Sequence, residues 1–212
     1  MNEIIGKALI ETLEMVFVST TFAVILGFIP AIILTITAND GLKPNKIIYN
    51  ILDFIVNTLR SFPFIILMVI IIPLTRLIAG KSIGTEAAMV PLTIAAAPFV
   101  ARVIEASLRE VDKGVIEAAR SFGASNLQII FKVMLKEAVP SIMSGITLTI
   151  ISIVGYSAMA GAIGGGGLGQ VAISYGYQRF QTDVMIVTCI ILIIVVQGLQ
   201  FLGNYFYNKL SK

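Results

Sequence analysis

Met15–Asn39, MVFVSTTFAVILGFIPAIILTITAN, runs for 25 residues without one Asp, Glu, Lys or Arg. As a helix rising 1.5 Å per residue it reaches about 37 Å, whereas the hydrocarbon core of a bilayer is about 30 Å thick. The stretch therefore reads as a membrane span and sets the scale for the rest of the chain. Val184–Asn208 is a second charge-free run of 25 residues. Ala138–Gln178 holds 41 such residues, but its second half is rich in Gly, Ser, Gln and Tyr. One span, about Ser141–Ala162, followed by an irregular segment, is expected there. Phe54–Thr75 and Ala87–Ile104 each carry one Arg, Arg60 and Arg102. Both sit near an end of their stretch, from where a long side chain reaches the interface. Five spans follow, near 14–37, 54–76, 87–108, 138–162 and 184–206. The fold class is an all-α integral membrane protein with five transmembrane helices, in a single domain over 1–212.

Composition agrees. Of 212 residues 57% are hydrophobic and 13% charged, with a mean hydropathy of +0.96. A soluble domain carries about 25% charged residues. A soluble cytosolic enzyme and a disordered chain are excluded. The net charge of +3 fits basic loops beside a membrane better than a groove for nucleic acid, so no nucleic-acid partner is expected. His is absent and Cys189 is the single Cys, so one chain cannot assemble a His/Cys metal cluster, a Ser-His-Asp triad or a disulfide. No cofactor and no enzymatic activity are expected. Pro30, Pro63, Pro73, Pro91, Pro98 and Pro140 fall in or beside the spans, where each removes a backbone hydrogen bond that neighbouring groups must replace.

Lys and Arg choose the sides. Lys43, Lys46, Arg109, Lys113, Arg120, Lys132, Lys136, Lys209 and Lys212 gather on one face, with Arg60 and Arg102; Lys7, Arg76, Lys81 and Arg179 fall on the other. The first face is read as cytoplasmic, which puts the N-terminus outside and the C-terminus inside. Residues 1–14 lack the basic start of a signal peptide.

The one sizeable polar segment is 109–137, with nine of the 27 charges. Val115, Ile116, Ala119 and Phe122 recur at helical spacing, and Asp112 stands where a helix is capped. Gly123 offers a left-handed stop. Ser125 with Gln128 reads as a capping box opening a second helix, whose Leu127, Ile130, Phe131, Met134 and Leu135 make an apolar stripe expected to pack on the bundle. The first helix is too short to be stable alone, and small Ala118 and Ala119 suit it to a groove on a partner; a loop helix lying on the membrane surface has the same spacing.

Glu117-Ala118-Ala119, Gly123 and then Val133 and Leu135 resemble the Glu-Ala-Ala loop of permease subunits of bacterial ATP-binding-cassette importers. Lys136 stands where that pattern has Pro. The stretch Gly155–Gly169, GYSAMAGAIGGGGLG, with Tyr175–Gln181, YGYQRFQ, is similar to the methionine-uptake branch. The resemblance implies a type I importer permease fold and a pair of copies about a central pathway. Two ATPase subunits would lie inside, binding ATP and Mg, with a substrate-binding lipoprotein outside. It makes 109–137 the cytoplasmic coupling loop. Within it Val115, Ile116, Glu117, Ala118, Ala119, Arg120, Phe122 and Gly123 would meet the ATPase. Gly164–Gly167 is not followed by Lys-Ser or Lys-Thr, so this chain has no phosphate-binding loop of its own. The cargo implied is an amino acid, methionine in D or L form or both.

Nine of the 18 glycines lie between Gly145 and Gly176. Gly164–Gly167 is expected to bend the chain at the outer face, with Tyr175, Tyr177 and Phe180 at the outer interface. Ser157 and Met159 are expected to line the pathway, Met159 as an apolar gate and otherwise as packing between helices. An ion-coupled carrier remains open, although no acidic residue lies mid-span and no internal repeat is visible. So does a homo-oligomeric channel lined by Ser19, Thr20, Thr21, Asn57 and Ser61. A membrane-embedded hydrolase has Ser and Thr to draw on but no His and no Asp pair within a span.

Overall fold

In a computed structural model, which describes residues 2–211, the chain is a bundle of helices whose ends form two chemically different caps. Helix α1 (Asn2–Thr37), α5 (Thr85–Arg109), α8 (Leu135–Ala162) and α10 (Thr182–Leu210) are the long apolar elements. α1 packs along α5, α5 on α8, and α8 on α10. The α1–α5 contact is close because Gly27 has no Cβ: one built there would lie 2.6 Å from the Ala97 carbonyl oxygen. At the centre are Met15, Leu34, Leu92, Val100, Ile104 and Ile153. Isoleucines on α1 and α10 stay exposed, as lipid-facing surface requires.

The expected span 54–76 is not one helix. α2 (Lys46–Arg60) stops at Ser61–Pro63, the chain turns by 100°, and α3 (Phe64–Ile70) and α4 (Ile72–Ala79) follow. The physical reason lies in two features. Pro63 disfavours the helical conformation at the residue before it. The polar residues Tyr49, Asp53, Asn57 and Arg60 also recur on one side of α2, which leans that side on α5 rather than on lipid. Ile47, Ile48, Ile51, Phe54 and Ile55 cover the opposite side and are exposed. Among the described residues there are thus four unbroken candidate spans and one bent pair.

Two further expectations are refined. The stripe after Ser125 does not all pack inward. α7 (Asn126–Gln128) runs into a π-helical turn, Ile129–Met134, before α8. The wider turn shifts the register: Ile129, Ile130 and Met134 are buried while Leu127 and Phe131 face out. The segment after Ala162 is not irregular for long either. The turn Ile163–Gly166, with Gly164, Gly166 and Gly167 at positive φ, gives way to the short α9 (Gly167–Val171), a second π-helical turn Ala172–Tyr177, and then α10. α9 lies against both α1 and α8, with Leu168 fully buried.

Candidate functional site: the docking corner and the open face of α8

At the basic end stands α6 (Lys113–Ser121). Asp112 caps it: its carboxylate accepts from the Gly114 N–H at 2.7 Å and the Val115 N–H at 3.3 Å. Gly123, at φ 79, takes the left-handed conformation the sequence called for. Ser125 and Gln128 form the reciprocal capping box that starts the next helix. The result is a nine-residue helix clamped at both ends and packed on one side only. Ile116 and Ala119 rest on the bundle. Val115, Glu117, Ala118 and Arg120 face away, and Phe122 is 92% exposed. Val115, Ala118 and Phe122 share the outward face at i, i+3 and i+7, an apolar strip on a wet element.

Beneath this corner lies a charged brace that the sequence reading left unassembled. Arg102 pairs with Asp53 of α2 and, at 2.6 Å, with Glu105; it also reaches Asn57 at 3.0 Å. Glu105, 4% exposed at its side chain, further faces Arg109 at 3.7 Å and accepts from the Tyr49 hydroxyl at 3.3 Å. Arg109 meets Asp40 at 3.0 Å, and Lys113 at the start of α6 meets Asp40 at 3.9 Å. A continuous chain of ion pairs therefore leads from α6 through α5 to α2. Its signal was present in the sequence, since Arg102, Glu105 and Arg109 at i, i+3 and i+7 share one helix face.

The opposite end is built on glycine. Glu11 and Thr12 of α1 accept from the Gly167 and Leu168 N–H groups, each at 2.9 Å, and so cap α9 from a different helix. The Gly84 N–H donates to the Gly164 carbonyl. Beyond the turn, Tyr177 and Phe180 are exposed, and Arg179 lies 4.4 Å from the Tyr175 ring.

Between the two ends α8 keeps one face uncovered: Ser144, Leu148, Ser152, Gly155, Met159 and Ala162 are exposed at successive steps of three or four. Met159 is on that face. Ser157 is not; it is 2% exposed, and its hydroxyl donates to the Val154 carbonyl at 2.8 Å. Two residues apart on a helix lie about 200° apart, so the two sequence-derived pathway residues point in different directions. Ser152 and Gly155 are the residues that share Met159's face.

A bundle of apolar spans with a capped, outward-facing amphipathic corner and an uncovered small-residue face is the design of a membrane permease that works with other chains. The chain belongs to the family of binding-protein-dependent transport system inner membrane components, which matches residues 23–212. It is 49% identical over 210 residues to a protein of Vibrio cholerae described as a probable D-methionine transport system permease, covering 99% of this chain and 93% of that one. A methionine import system permease of Bacillus subtilis is 43% identical over 180 residues, 85% of this chain and 81% of that one. Among solved structures, a native crystal form of the inward-facing MetNI methionine ABC transporter superposes with a TM-score of 0.97 at 43% identity, covering 100% of this chain and 98% of its own. The chain thus has the type I importer permease fold and is a membrane component of an ABC importer.

Proposed function

We propose that this chain is the permease of an ATP-driven methionine importer, in which two copies form the pathway and two ATPase subunits drive it. The observation that carries the reading is α6: a short helix fixed at both ends that, with its cap Phe122, leaves Val115, Ala118 and Phe122 exposed to a partner. The high identity to methionine permeases over nearly the whole chain supports the cargo. ATP and Mg belong to the partner ATPase; this chain contributes motion and a conduit. The basic residues around α6 and the chain's last turn support a cytoplasmic location for that end and an outside location for the N-terminus, by the bias of Lys and Arg toward cytoplasmic loops. A substrate-binding lipoprotein then delivers cargo at the glycine end, and membrane lipid covers α1 and α10.

Nucleotide binding draws the ATPase subunits together and carries α6 with them. The ion-pair chain from Lys113 to Asp53 passes the displacement to α2 and the broken span, while the α8 faces of the two copies part or close. Such a switch requires contacts that differ between its states, and paired charges that can re-pair supply them. The test is uptake of labelled methionine into proteoliposomes containing the permease, the ATPase and the binding protein. Uptake should require ATP hydrolysis. Uptake driven by a proton or sodium gradient without ATP would overturn the reading in favour of an ion-coupled carrier.

A further inference from the structure

Arg60 differs from Arg102, the other cation that lies within an apolar stretch. It ends α2 at the 100° break and lies 5.0 Å from the centroid of the Phe99 ring. Phe99 is ten residues from the basic end of α5 and fourteen from the other end. This places the guanidinium about 15 Å in from the basic end, well inside the span. Arg102, one turn nearer that end, is held by Asp53 and Glu105. Arg60 has neither an ion pair nor a side-chain hydrogen bond among the described residues. It is not needed as a helix cap either, because the Ser61 N–H already serves the Asn57 and Thr58 carbonyls. A charge at this depth does not face lipid; it faces a partner or a watered cavity, and marks a functional position.

A cavity lies beside it. Between α5 and α8 a space of about 110 Å³ is walled by Ala96, Phe99, Leu148, Ser152, Ile153 and Tyr156. Engineered apolar cavities of about 150 Å³ take up benzene, so the space suits a small apolar side chain. Phe99 is shared between the cavity and Arg60, and Tyr156 is stacked on Phe64 of α3 at 4.9 Å, which frames the cavity with the residues just after the break. The Ser152 hydroxyl is spent on the Leu148 carbonyl, and that of Thr149, also at the cavity, on the Gly145 carbonyl. The walls are therefore apolar and aromatic, surroundings that a thioether favours. Ser152 and Leu148 lie on the open face of α8, so the cavity opens onto the face that the pairing proposed above sets against the second copy.

We propose that Arg60 and the Phe99–Tyr156 cavity form a substrate site within the permease. The guanidinium takes the carboxylate of the passing amino acid and the cavity takes its apolar side chain. This rests on the amino-acid importer reading above. A free cation beside an aromatic hollow recognises an acid with an apolar tail, and rejects the same molecule with its carboxylate masked.

The test uses the full permease–ATPase complex in nanodiscs, without nucleotide, carrying Cys189→Ser and Ser152→Cys as a reporter thiol. Labelling by a methanethiosulfonate reagent is timed in the presence of methionine or methionine amide. Methionine should slow labelling and the amide should not. Adding Arg60→Gln should raise the methionine concentration needed for protection by about ten- to a hundredfold, the scale of one charged hydrogen bond, and Arg60→Lys should restore part of it. Leu148→Cys serves as a second reporter if Ser152→Cys impairs assembly. Equal protection by acid and amide, or protection unchanged by Arg60→Gln, overturns the site. A complex that imports methionine with ATP yet shows no protection at all overturns the site and leaves the importer reading standing. Failure of ATP-driven uptake removes the importer reading itself.

Discussion

Gly123 shows how one backbone angle governs the docking corner. Its φ of 79 lies where L side chains are disfavoured, yet a Cβ there would meet nothing within 4 Å. A substitution is therefore penalised by conformation alone, by about 1–2 kcal/mol for a branched side chain and less for Asn, which tolerates the left-handed region. Gly123→Val is expected to lower ATP-driven uptake in proteoliposomes well below Gly123→Asn, at equal amounts of assembled permease. The Gly123 stop, the Asp112 cap and the Ser125–Gln128 box were legible in the sequence because each is a local rule, settled within four residues. That Ser157 turns inward was not legible for the opposite reason: which side of α8 is covered depends on α5 and α10, and no run of small residues announces it. Glu11 and Thr12 were invisible as caps because the amides they serve lie 156 residues away.

Among the elements, α2 departs most from what hydropathy conveys. Phe54–Thr75 carries a single charge, Arg60, so a sliding count of charges passes over Ser61–Pro63 without notice. The break was readable only from Pro63 and from the recurrence of Tyr49, Asp53, Asn57 and Arg60 on one side. By contrast α1, α5, α8 and α10 followed directly from the gaps between charges, since length and apolarity suffice for an unbroken span. What holds α2 in place is the brace on α5. Arg102→Ala leaves Glu105, 4% exposed at its side chain, with only the more distant Arg109 and the Tyr49 hydroxyl. Breaking a buried pair by removing one partner costs about 3–5 kcal/mol. Arg102→Ala should therefore lower the thermal unfolding temperature of the purified complex by several degrees, whereas Lys81→Ala should not. Lys81 pairs with Glu86 at 2.7 Å, but both side chains are at least half exposed and such pairs contribute little.

For the whole molecule, the two uncovered surfaces predict two contacts with other chains. Phe122→Asp places a charge at the exposed end of the apolar strip, just past α6, and should weaken retention of the ATPase on affinity-purified permease at least tenfold while leaving the α-helical circular dichroism of the chain unchanged. Met159→Cys, in a Cys189→Ser background, should crosslink two copies through a disulfide under mild oxidation. Ser157→Cys should not, because its side chain is enclosed within its own protomer. Glu11 and Thr12 also have a consequence for biosynthesis. They precede the segment matched by the family, residues 23–212, yet they hold the turn that opens α9. The ribosome makes these two residues 156 positions before the amides they receive. The glycine end therefore stays unlatched through most of translation and closes only once α9 reaches the waiting head of α1. The latch thus joins the first long span to a loop made well after it, with only the second π-helical turn and α10 still to follow.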